Sequence, residues 1–266
     1  MKRSLPSLFV LPFLLAASVH GVEIIGHRGA SHDAPENTVA SFKLGWEQRA
    51  DADELDIYLT KDGKVVVMHD ATTKRTTGVD KKVADSTLDE LRELDAGGLK
   101  GEQWKGEKIP TLAEALATIP EGKQMFIEIK CGAEVLPELD NVLKASGRKP
   151  EQLVIIGFSH ATMQAARQRF PQAPIYWIVS PKADKESGQF PPIEGLIAKA
   201  KEAGLSGLDL DAKYPLDATA VTKVKEAGLR LYTWTVDDPA LAQKLTAAGV
   251  DGVTTNRPGW LREQLK

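Results

Sequence analysis

Two acidic residues stand two positions apart in a segment whose other residues predict a buried strand. Glu54 and Asp56 lie within Ala52–Leu59, and side chains two apart on a strand point to the same face. Glu128 and Lys130 repeat this spacing further along the chain. Clustered carboxylates repel one another and lose hydration when buried, and a divalent cation between them offsets both costs. We therefore predict that Glu54, Asp56 and Glu128 hold one cation, Mg²⁺ or Ca²⁺, because all the ligands are oxygens.

Two histidines could supply acid–base chemistry beside this cluster. His27 follows the first predicted strand, and His69 closes an extension of the second. One histidine can take a proton while the other gives one. The neighbouring Arg28 and Lys130 add donors that suit the oxygens of a phosphate. Taken singly, each histidine could be a core residue and each acid an ordinary surface or ion-paired residue, but their shared position at strand ends favours an active site.

Short apolar segments rich in Val and Ile predict the strands that carry these residues. Trp234 lies near the carboxyl end of one of them and is a candidate substrate-binding residue. Helical patterns separate most of the strands, as in a parallel sheet. The nine predicted strands are Val22–Gly26, Ala52–Leu59, Val65–Met68, Met125–Ile129, Leu153–Phe158, Ile175–Val179, Gly207–Leu210, Leu229–Thr235 and Gly252–Thr255.

Helix-start and helix-stop signals mark the segments between the strands. Thr87–Glu90 and Thr111–Glu114 have the spacing of capping boxes, in which two side chains satisfy each other's backbone N–H groups. Asp238, followed by a proline, predicts an N-cap. Gly204 and Gly228 follow lysine-rich helical patterns and predict left-handed C-terminal caps.

The number of strands predicts the fold. An Asp-Gly step precedes Val65–Met68 and indicates a hairpin turn, so this segment extends the second strand instead of adding a barrel strand. Eight strand–helix units then remain, which predicts an α/β fold of the (β/α)₈ TIM-barrel type, usually about 250 residues long. No Gly-x-Gly-x-x-Gly follows a strand, which disfavours a dinucleotide-binding fold. Residues 71–110 combine a polar loop, glycines and a short helical pattern, and predict a small insertion after the second strand.

Composition disfavours several classes of partner and fold. The 266-residue chain has a net charge of −3 and no stripe rich in Lys and Arg, so we expect no nucleic-acid partner. Its only cysteine is Cys131, which excludes an intrachain disulfide. Residues 1–21 have a basic start, an apolar run too short to span a bilayer comfortably, and small residues at the end. They predict a signal peptide, a periplasmic or secreted domain of residues 22–266, and no stable membrane insertion.

Several motifs together resemble the glycerophosphodiester phosphodiesterase family. The most specific are His27-Arg28-Gly29-Ala30, Pro35-Glu36-Asn37-Thr38, Glu54-x-Asp56 and His69-Asp70. The later Glu128-Ile129-Lys130 and the closing segment 251–258 are similar to that family as well. The resemblance runs over nearly all of residues 22–266.

This resemblance implies a barrel with an insertion after His69 and hydrolysis of small-molecule glycerophosphodiesters to sn-glycerol 3-phosphate and an alcohol. Pro35–Thr38 would begin the first helix. The implied roles are metal ligation by Glu54, Asp56 and Glu128, acid–base catalysis by His27 and His69, and phosphate binding by Arg28 and Lys130. Many relatives have Asp at the position of Asn256; the amide keeps an acceptor but loses the charge, so the ionic partner of Arg257 stays open.

Two alternatives remain. A phospholipase-type phosphodiesterase acting on lysophospholipids or phosphatidylinositol would need an apolar rim, whereas Leu99 and Trp104 of the insertion stand among charged residues. A non-catalytic phosphodiester-binding barrel would lack one of the histidines or carboxylates. The sequence leaves open the headgroup alcohol, the choice between Mg²⁺ and Ca²⁺, direct water attack or a cyclic intermediate, and the oligomeric state.

Overall fold

A closed barrel of parallel strands forms the centre of the molecule. The computed structural model describes residues 21–266, so the predicted signal peptide lies outside the described residues except for Gly21. The strands are β1 (Glu23–Gly26), β2 (Ala52–Leu59), β3 (Val65–Val67), β4 (Gln124–Ile129), β5 (Leu153–Gly157), β6 (Ile175–Val179), β7 (Gly207–Asp211), β8 (Arg230–Trp234) and β9 (Gly252–Thr255). All pair in parallel except β3, and the ring closes because β1 pairs with both β9 and β2. The predicted (β/α)₈ barrel is confirmed.

Helices cover the outside of the barrel. Those in the described residues are α1 (Val39–Glu47), α2 (Lys74–Thr77), α3 (Leu88–Arg92), α4 (Leu112–Ala117), α5 (Leu136–Ala145), α6 (His160–Arg169), α7 (Ile193–Glu202), α8 (Ala218–Glu226), α9 (Pro239–Ala248) and α10 (Pro258–Gln264). Except in α2 and α3, their apolar faces pack on the outward side chains of the strands in one continuous core.

The predicted helix signals are present. Thr87 and Thr111 each close a capping box, at the starts of α3 and α4. Asp238 caps α9 by accepting a hydrogen bond from a backbone N–H of its first turn. Gly204 and Gly228 follow α7 and α8 with φ of 66° and 77°, a region that glycine enters without steric cost.

Strand β3 lies outside the ring and forms a hairpin with β2. Gly63 takes the left-handed conformation in the turn, with φ of 73°. The following residues, 71–110, hold α2 and α3 and pack on β3 through a small core of their own. This core contains Val66, Met68, Val83, Leu91, Leu94, Ala96 and Ile109. The insertion is therefore anchored to the barrel at the point where His69 follows β3.

Aromatic side chains close the amino-terminal end of the barrel interior. The Phe126 ring centroid lies 5.1 Å from that of Tyr232, which lies 4.9 Å from that of Tyr176. A Cβ on Gly252 would come within 2.6 Å of the Tyr232 ring, so this strand needs glycine there. The Tyr232 hydroxyl donates to Glu23 Oε2 at 2.9 Å. Because this floor is filled, the interior opens toward the carboxyl ends of the strands.

One buried acid faces outward from β2 and carries a stability prediction. Asp53 is fully buried against Gly26 and Gly45, and its carboxylate has no hydrogen-bond partner among the described residues. Burial raises the pKa of Asp53 well above its ordinary value. A raised folded-state pKa stabilises the fold at low pH, and this contribution is lost as pH rises through that pKa.

We expect Asp53→Asn to be more stable than the wild type at pH 8 by about 1–3 kcal/mol, because the amide has no charge to bury and each unit of pKa shift corresponds to about 1.4 kcal/mol. The gain should shrink at pH 5, where the wild-type carboxyl takes up its proton more readily. Urea unfolding at both pH values measures the difference. Equal effects at the two pH values would show that the charge of Asp53 is not the cause.

Candidate active site

Three carboxylates converge inside the barrel near the carboxyl ends of β2 and β4. One oxygen from each of Glu54, Asp56 and Glu128 lies within 4.8 Å of the others. All three residues are less than a tenth exposed. Burial and the charge of Asp56 raise the pKa of Glu54 well above its ordinary value and that of Glu128 to about 7. The cluster is therefore costly to ionise without an added cation.

The donor set fits a divalent cation. Glu54 Oε1 and Asp56 Oδ1 are buried and accept no hydrogen bond from the described residues. Carboxylate oxygens that lack a hydrogen-bond donor and lie close together supply the hard oxygen ligands that Mg²⁺ and Ca²⁺ prefer. The three residues could thus hold a metal ion.

Two cationic side chains border this cluster. Arg28 Nε lies 3.4 Å from Asp56 Oδ2, and Lys130 Nζ lies 2.8 Å from Glu128 Oε1 and 3.4 Å from Asp56 Oδ1. Arg28 has a left-handed backbone, with φ of 57°, which is uncommon for a residue with a side chain. The backbone N–H of Arg28 donates to Glu54 Oε2 at 2.9 Å, and this hydrogen bond fixes the loop after β1 to the carboxylates.

A chain of ion pairs joins Arg28 to the insertion. Arg28 donates to Glu36 Oε1 at 2.8 Å, and Arg75 of α2 donates to both oxygens of Glu36 and to Asp70. Although burial opposes ionisation of Glu36, the hydrogen bond from Arg75 and the charge of Arg28 lower its pKa to about 2. The hydrogen bond from Arg75, with a smaller part from His69, lowers the pKa of Asp70 to about 2. Both acids therefore remain charged and couple the two sides of the site.

His69 is oriented by Asp70. Its Nδ1 lies 2.6 Å from Asp70 Oδ1. An ionised carboxylate only accepts hydrogen bonds, so Nδ1 carries the hydrogen and Nε2 is the free ring nitrogen. The imidazole lies at the edge of the pocket that contains the carboxylates.

His27 is oriented by an amide. Its Nδ1 lies 2.7 Å from Asn256 Oδ1, which also accepts from the Ser31 hydroxyl. Asn256 Nδ2 donates to Asp237, which can only accept, so the amide oxygen must face His27. Nδ1 of His27 therefore carries the hydrogen and Nε2 is free. Burial and the charge of Arg28 lower the pKa of His27 to about 4, so the ring is neutral near pH 7.

This arrangement shows that Asn256 offers His27 a hydrogen-bond acceptor without a carboxylate charge. Asn256→Asp alone would place two carboxylates, those of positions 256 and 237, within hydrogen-bond distance. We expect a loss of about 1–2 kcal/mol in unfolding free energy, because a hydrogen bond is replaced by repulsion. Adding Asp237→Asn should recover this loss by reversing the amide–carboxylate pair.

Chemical unfolding of the two variants measures that pattern. A carboxylate on Nδ1 also stabilises the imidazolium, so the pKa of His27, followed by NMR of the ring, should rise above 4 in the double variant. If Asn256→Asp alone were as stable as the wild type, the proposed pairing of Asn256 with Asp237 would be contradicted.

The far wall of the pocket is mostly apolar. The cavity, about 230 Å³, is bounded there by Ile156, Phe158, Ile178 and Trp234. The Phe158 and Trp234 rings meet edge to face at 5.5 Å between centroids. One acid, Asp209, also lines this wall. A larger groove of about 590 Å³ at the opposite end of the barrel contains no histidine, and barrel enzymes place their chemistry at the carboxyl ends of the strands.

The structure brings together every residue singled out from the sequence for the site. Seven of them line the cavity, and Asp56 lies directly behind it, in contact with Arg28 and Lys130. The other histidines of residues 21–266 and the cysteine stand apart: His32 pairs with Asp33 on the surface, His160 lies on α6, and Cys131 packs against the outer core. No helix in the described part of the chain is long and apolar enough to cross a membrane.

Several residues of this site were not anticipated from the sequence. Asp209 carried a signal that could have been used, because it alternates with Leu208 and Leu210 and so faces the barrel interior. Asp237 and Arg75 carried no such signal, because their partners lie 19 and 39 positions away in loops and short helices.

Known proteins of one family are similar to this chain. Residues 27–260 match the Glycerophosphoryl diester phosphodiesterase family. The chain is 35% identical to the glycerophosphodiester phosphodiesterase of Caldanaerobacter subterraneus subsp. tengcongensis, over 88% of this chain and 94% of that protein. It is 32% identical to a glycerophosphodiester phosphodiesterase of Bacillus subtilis, over 88% and 83%.

Solved structures show the same fold. A phosphodiesterase of Oleispira antarctica, in complex with the product sn-glycerol-3-phosphate, matches with a TM-score of 0.81 and 30% identity over 92% of this chain and 97% of that one. The glycerophosphodiester phosphodiesterase of Thermotoga maritima matches with a TM-score of 0.72 and 29% identity, over 92% and 98%. The chain belongs to the glycerophosphoryl diester phosphodiesterase family and is an enzyme of that class.

Proposed function

We propose that the protein hydrolyses glycerophosphodiesters to sn-glycerol 3-phosphate and an alcohol, with one divalent cation and His27 and His69 as the acid–base pair. The observation that carries this proposal is the meeting of a buried carboxylate triad, two cationic side chains and two oriented histidines in one cavity. The product bound to the Oleispira antarctica relative supports the substrate class.

Glu54, Asp56 and Glu128 would hold the cation. When bound, a divalent cation supplies Lewis-acid polarisation of the phosphate oxygens. Arg28 and Lys130 bind the phosphate from the two sides of the triad, as a planar fork and a point charge. Their shared ion pairing with Asp56 keeps both donors at the mouth of the cluster. Trp234 contributes an apolar surface on the opposite wall.

The environments of the two histidines favour different roles. A neutral His27 with its free Nε2 toward the cavity can accept a proton from the nucleophile. His69 is held by an ionised carboxylate, a partner that stabilises an imidazolium, and lies beside the insertion where the alcohol would leave. We assign His27 as the base and His69 as the acid.

A panel of glycerophosphodiesters tests the function. The purified protein, loaded with Mg²⁺ or with Ca²⁺, should release sn-glycerol 3-phosphate from glycerophosphocholine, glycerophosphoethanolamine or glycerophosphoglycerol, detected by a coupled dehydrogenase assay. Release of free phosphate, or turnover of intact lysophospholipids but of none of these diesters, would reject the proposal.

The phospholipase-type alternative receives little support from the insertion. Leu99 is 65% exposed, but the adjacent Lys100 is tied to the loop after β1 through a hydrogen bond to Ser31 O at 2.8 Å. Val79, in the same segment, is 45% exposed. Two apolar side chains beside charged neighbours are still a small surface for binding a bilayer or micelle.

Export of the protein is also part of the proposal. It rests on the basic start and apolar run of residues 1–21 alone. Mass spectrometry of the protein recovered from the producing cell should find a mature amino terminus near Gly21. Intact protein that still begins at Met1 would contradict export by cleavage.

A further inference from the structure

A fourth acid in the cavity has no role in the mechanism above. Asp209 lies on β7 and is 2% exposed. Its Oδ1 is buried without a hydrogen-bond partner among the described residues. The Trp234 indole N–H, which lies nearby, donates to the backbone oxygen of Asp209 and not to the carboxylate. A buried polar group left unpaired is destabilising, so a partner from outside the chain would relieve this cost.

The surroundings of Asp209 indicate which part of the substrate would supply that partner. The histidines, the cationic side chains and the carboxylate triad lie on or after β1, β2, β3 and β4. Asp209 lies on the opposite half of the ring, between β6 and β8. Its neighbours at the cavity, Ile178 and Trp234, offer no carboxylate or cation. A diester held at its phosphate by Arg28 and Lys130 must extend one organic arm along this wall.

We propose, on the basis of the function proposed above, that Asp209 is a specificity residue that hydrogen-bonds a hydroxyl group of the glycerol arm of the substrate. A small polyol fits a cavity of about 230 Å³. Burial and the charge of Glu128 raise the pKa of Asp209 well above its ordinary value. A hydroxyl pairs with a carboxyl in either protonation state, whereas an ammonium group needs the ionised form. The cost of charging a carboxyl that is 2% exposed therefore favours the hydroxyl.

A cycle of two enzymes and two substrates isolates this contact. The substrates are glyceryl 4-nitrophenyl phosphate and propyl 4-nitrophenyl phosphate, which share a leaving group and differ only in two hydroxyls. Asp209→Leu should lower kcat/KM for the glyceryl ester by about 10- to 100-fold and leave the propyl value nearly unchanged. Asp209→Asn, which keeps the shape and some hydrogen-bonding capacity, should lie between. Asp211→Asn is the matched control on the same strand, because its carboxylate is already paired with Ser180.

Binding of sn-glycerol 3-phosphate and of propyl phosphate, measured by calorimetry on the same variants, gives a readout that does not depend on turnover. Asp209→Leu should weaken the binding of sn-glycerol 3-phosphate and leave that of propyl phosphate unchanged. An unchanged glyceryl-to-propyl ratio in a variant whose thermal unfolding matches the wild type would overturn the inference. So would a selective loss on glycerophosphocholine relative to glycerophosphoethanol, which would indicate an ammonium partner. A wild type that hydrolyses none of the glycerophosphodiesters of the panel rejects the proposed function, and the binding comparison then still decides the role of Asp209.

Discussion

Exhaustive chelation of the purified protein will abolish hydrolysis of glycerophosphodiesters, and Mg²⁺ or Ca²⁺ will restore it. The reason is electrostatic: three buried carboxylates within 4.8 Å cannot all ionise at low cost without a cation, and no other group in the cavity can polarise the phosphate as strongly. The loss should therefore be large, and rates before and after metal addition measure it.

Metal binding should also depend on pH in a defined direction. The pKa of Glu128 is raised to about 7 and that of Glu54 lies well above its ordinary value in the metal-free protein. A cation must displace these protons, so affinity should fall as pH drops below about 7. Titration calorimetry in buffers of different ionisation enthalpy will report proton release on binding.

Variants separate the three ligands from their neighbours. Glu54→Gln, Asp56→Asn and Glu128→Gln should each weaken metal affinity and activity together. Asp53→Asn is the matched control, because it removes a buried carboxylate from the same strand but from the opposite face. Full activity in rigorously metal-free protein, or equal effects of Asp53→Asn and Asp56→Asn on affinity, would reject a metal site at this cluster.

His27→Ala and His69→Ala will each lower kcat by about 10²–10⁴-fold, the usual contribution of one acid–base group. Neither change should affect metal affinity strongly, since neither side chain is in the carboxylate triad. The combined loss should be less than the product of the two, because the residues act as a unit. His160→Ala, on the outer helix α6, is the control and should behave as the wild type.

The leaving group distinguishes the acid from the base. A 4-nitrophenolate leaves without a proton, so glyceryl 4-nitrophenyl phosphate should largely rescue the variant that lacks the acid. We expect rescue of His69→Ala and not of His27→Ala. The reverse pattern would exchange the two roles, and near-normal activity of both variants on glycerophosphodiesters would make the histidines structural.

The pH profile tests the same assignment. With saturating metal, kcat/KM of the wild type should rise as His27 loses its proton, near pH 4 or below it, because burial and Arg28 lower its pKa and a bound cation would lower it further. This acidic limb should be absent in His27→Ala. A limb that persists unchanged in that variant would mean that another group is the base.

Hydrophobic periodicity and local signals determined most of the architecture. The predicted strands lie within one or two residues of the observed ones, because short apolar segments bounded by turn residues have few other stable states. The Asp-Gly step correctly placed β3 outside the ring. The pairs Glu54/Asp56 and Glu128/Lys130 were assigned to shared faces because the alternation of side chains on a strand is fixed by its geometry.

Only the tertiary structure decided what surrounds those side chains. The hydrogen bond between His27 and the Asn256 amide joins residues 229 positions apart. The chain of ion pairs from Arg28 to His69 depends on how the insertion folds back over the barrel. Hydrogen bonds in loops follow no periodicity, so sequence spacing cannot reveal them. Burial decides the rest. Strand alternation assigns Asp53 and Asp209 to one face of their strands, but only the closed barrel shows that both carboxyl groups are almost fully buried, Asp53 against the helices and Asp209 at the cavity.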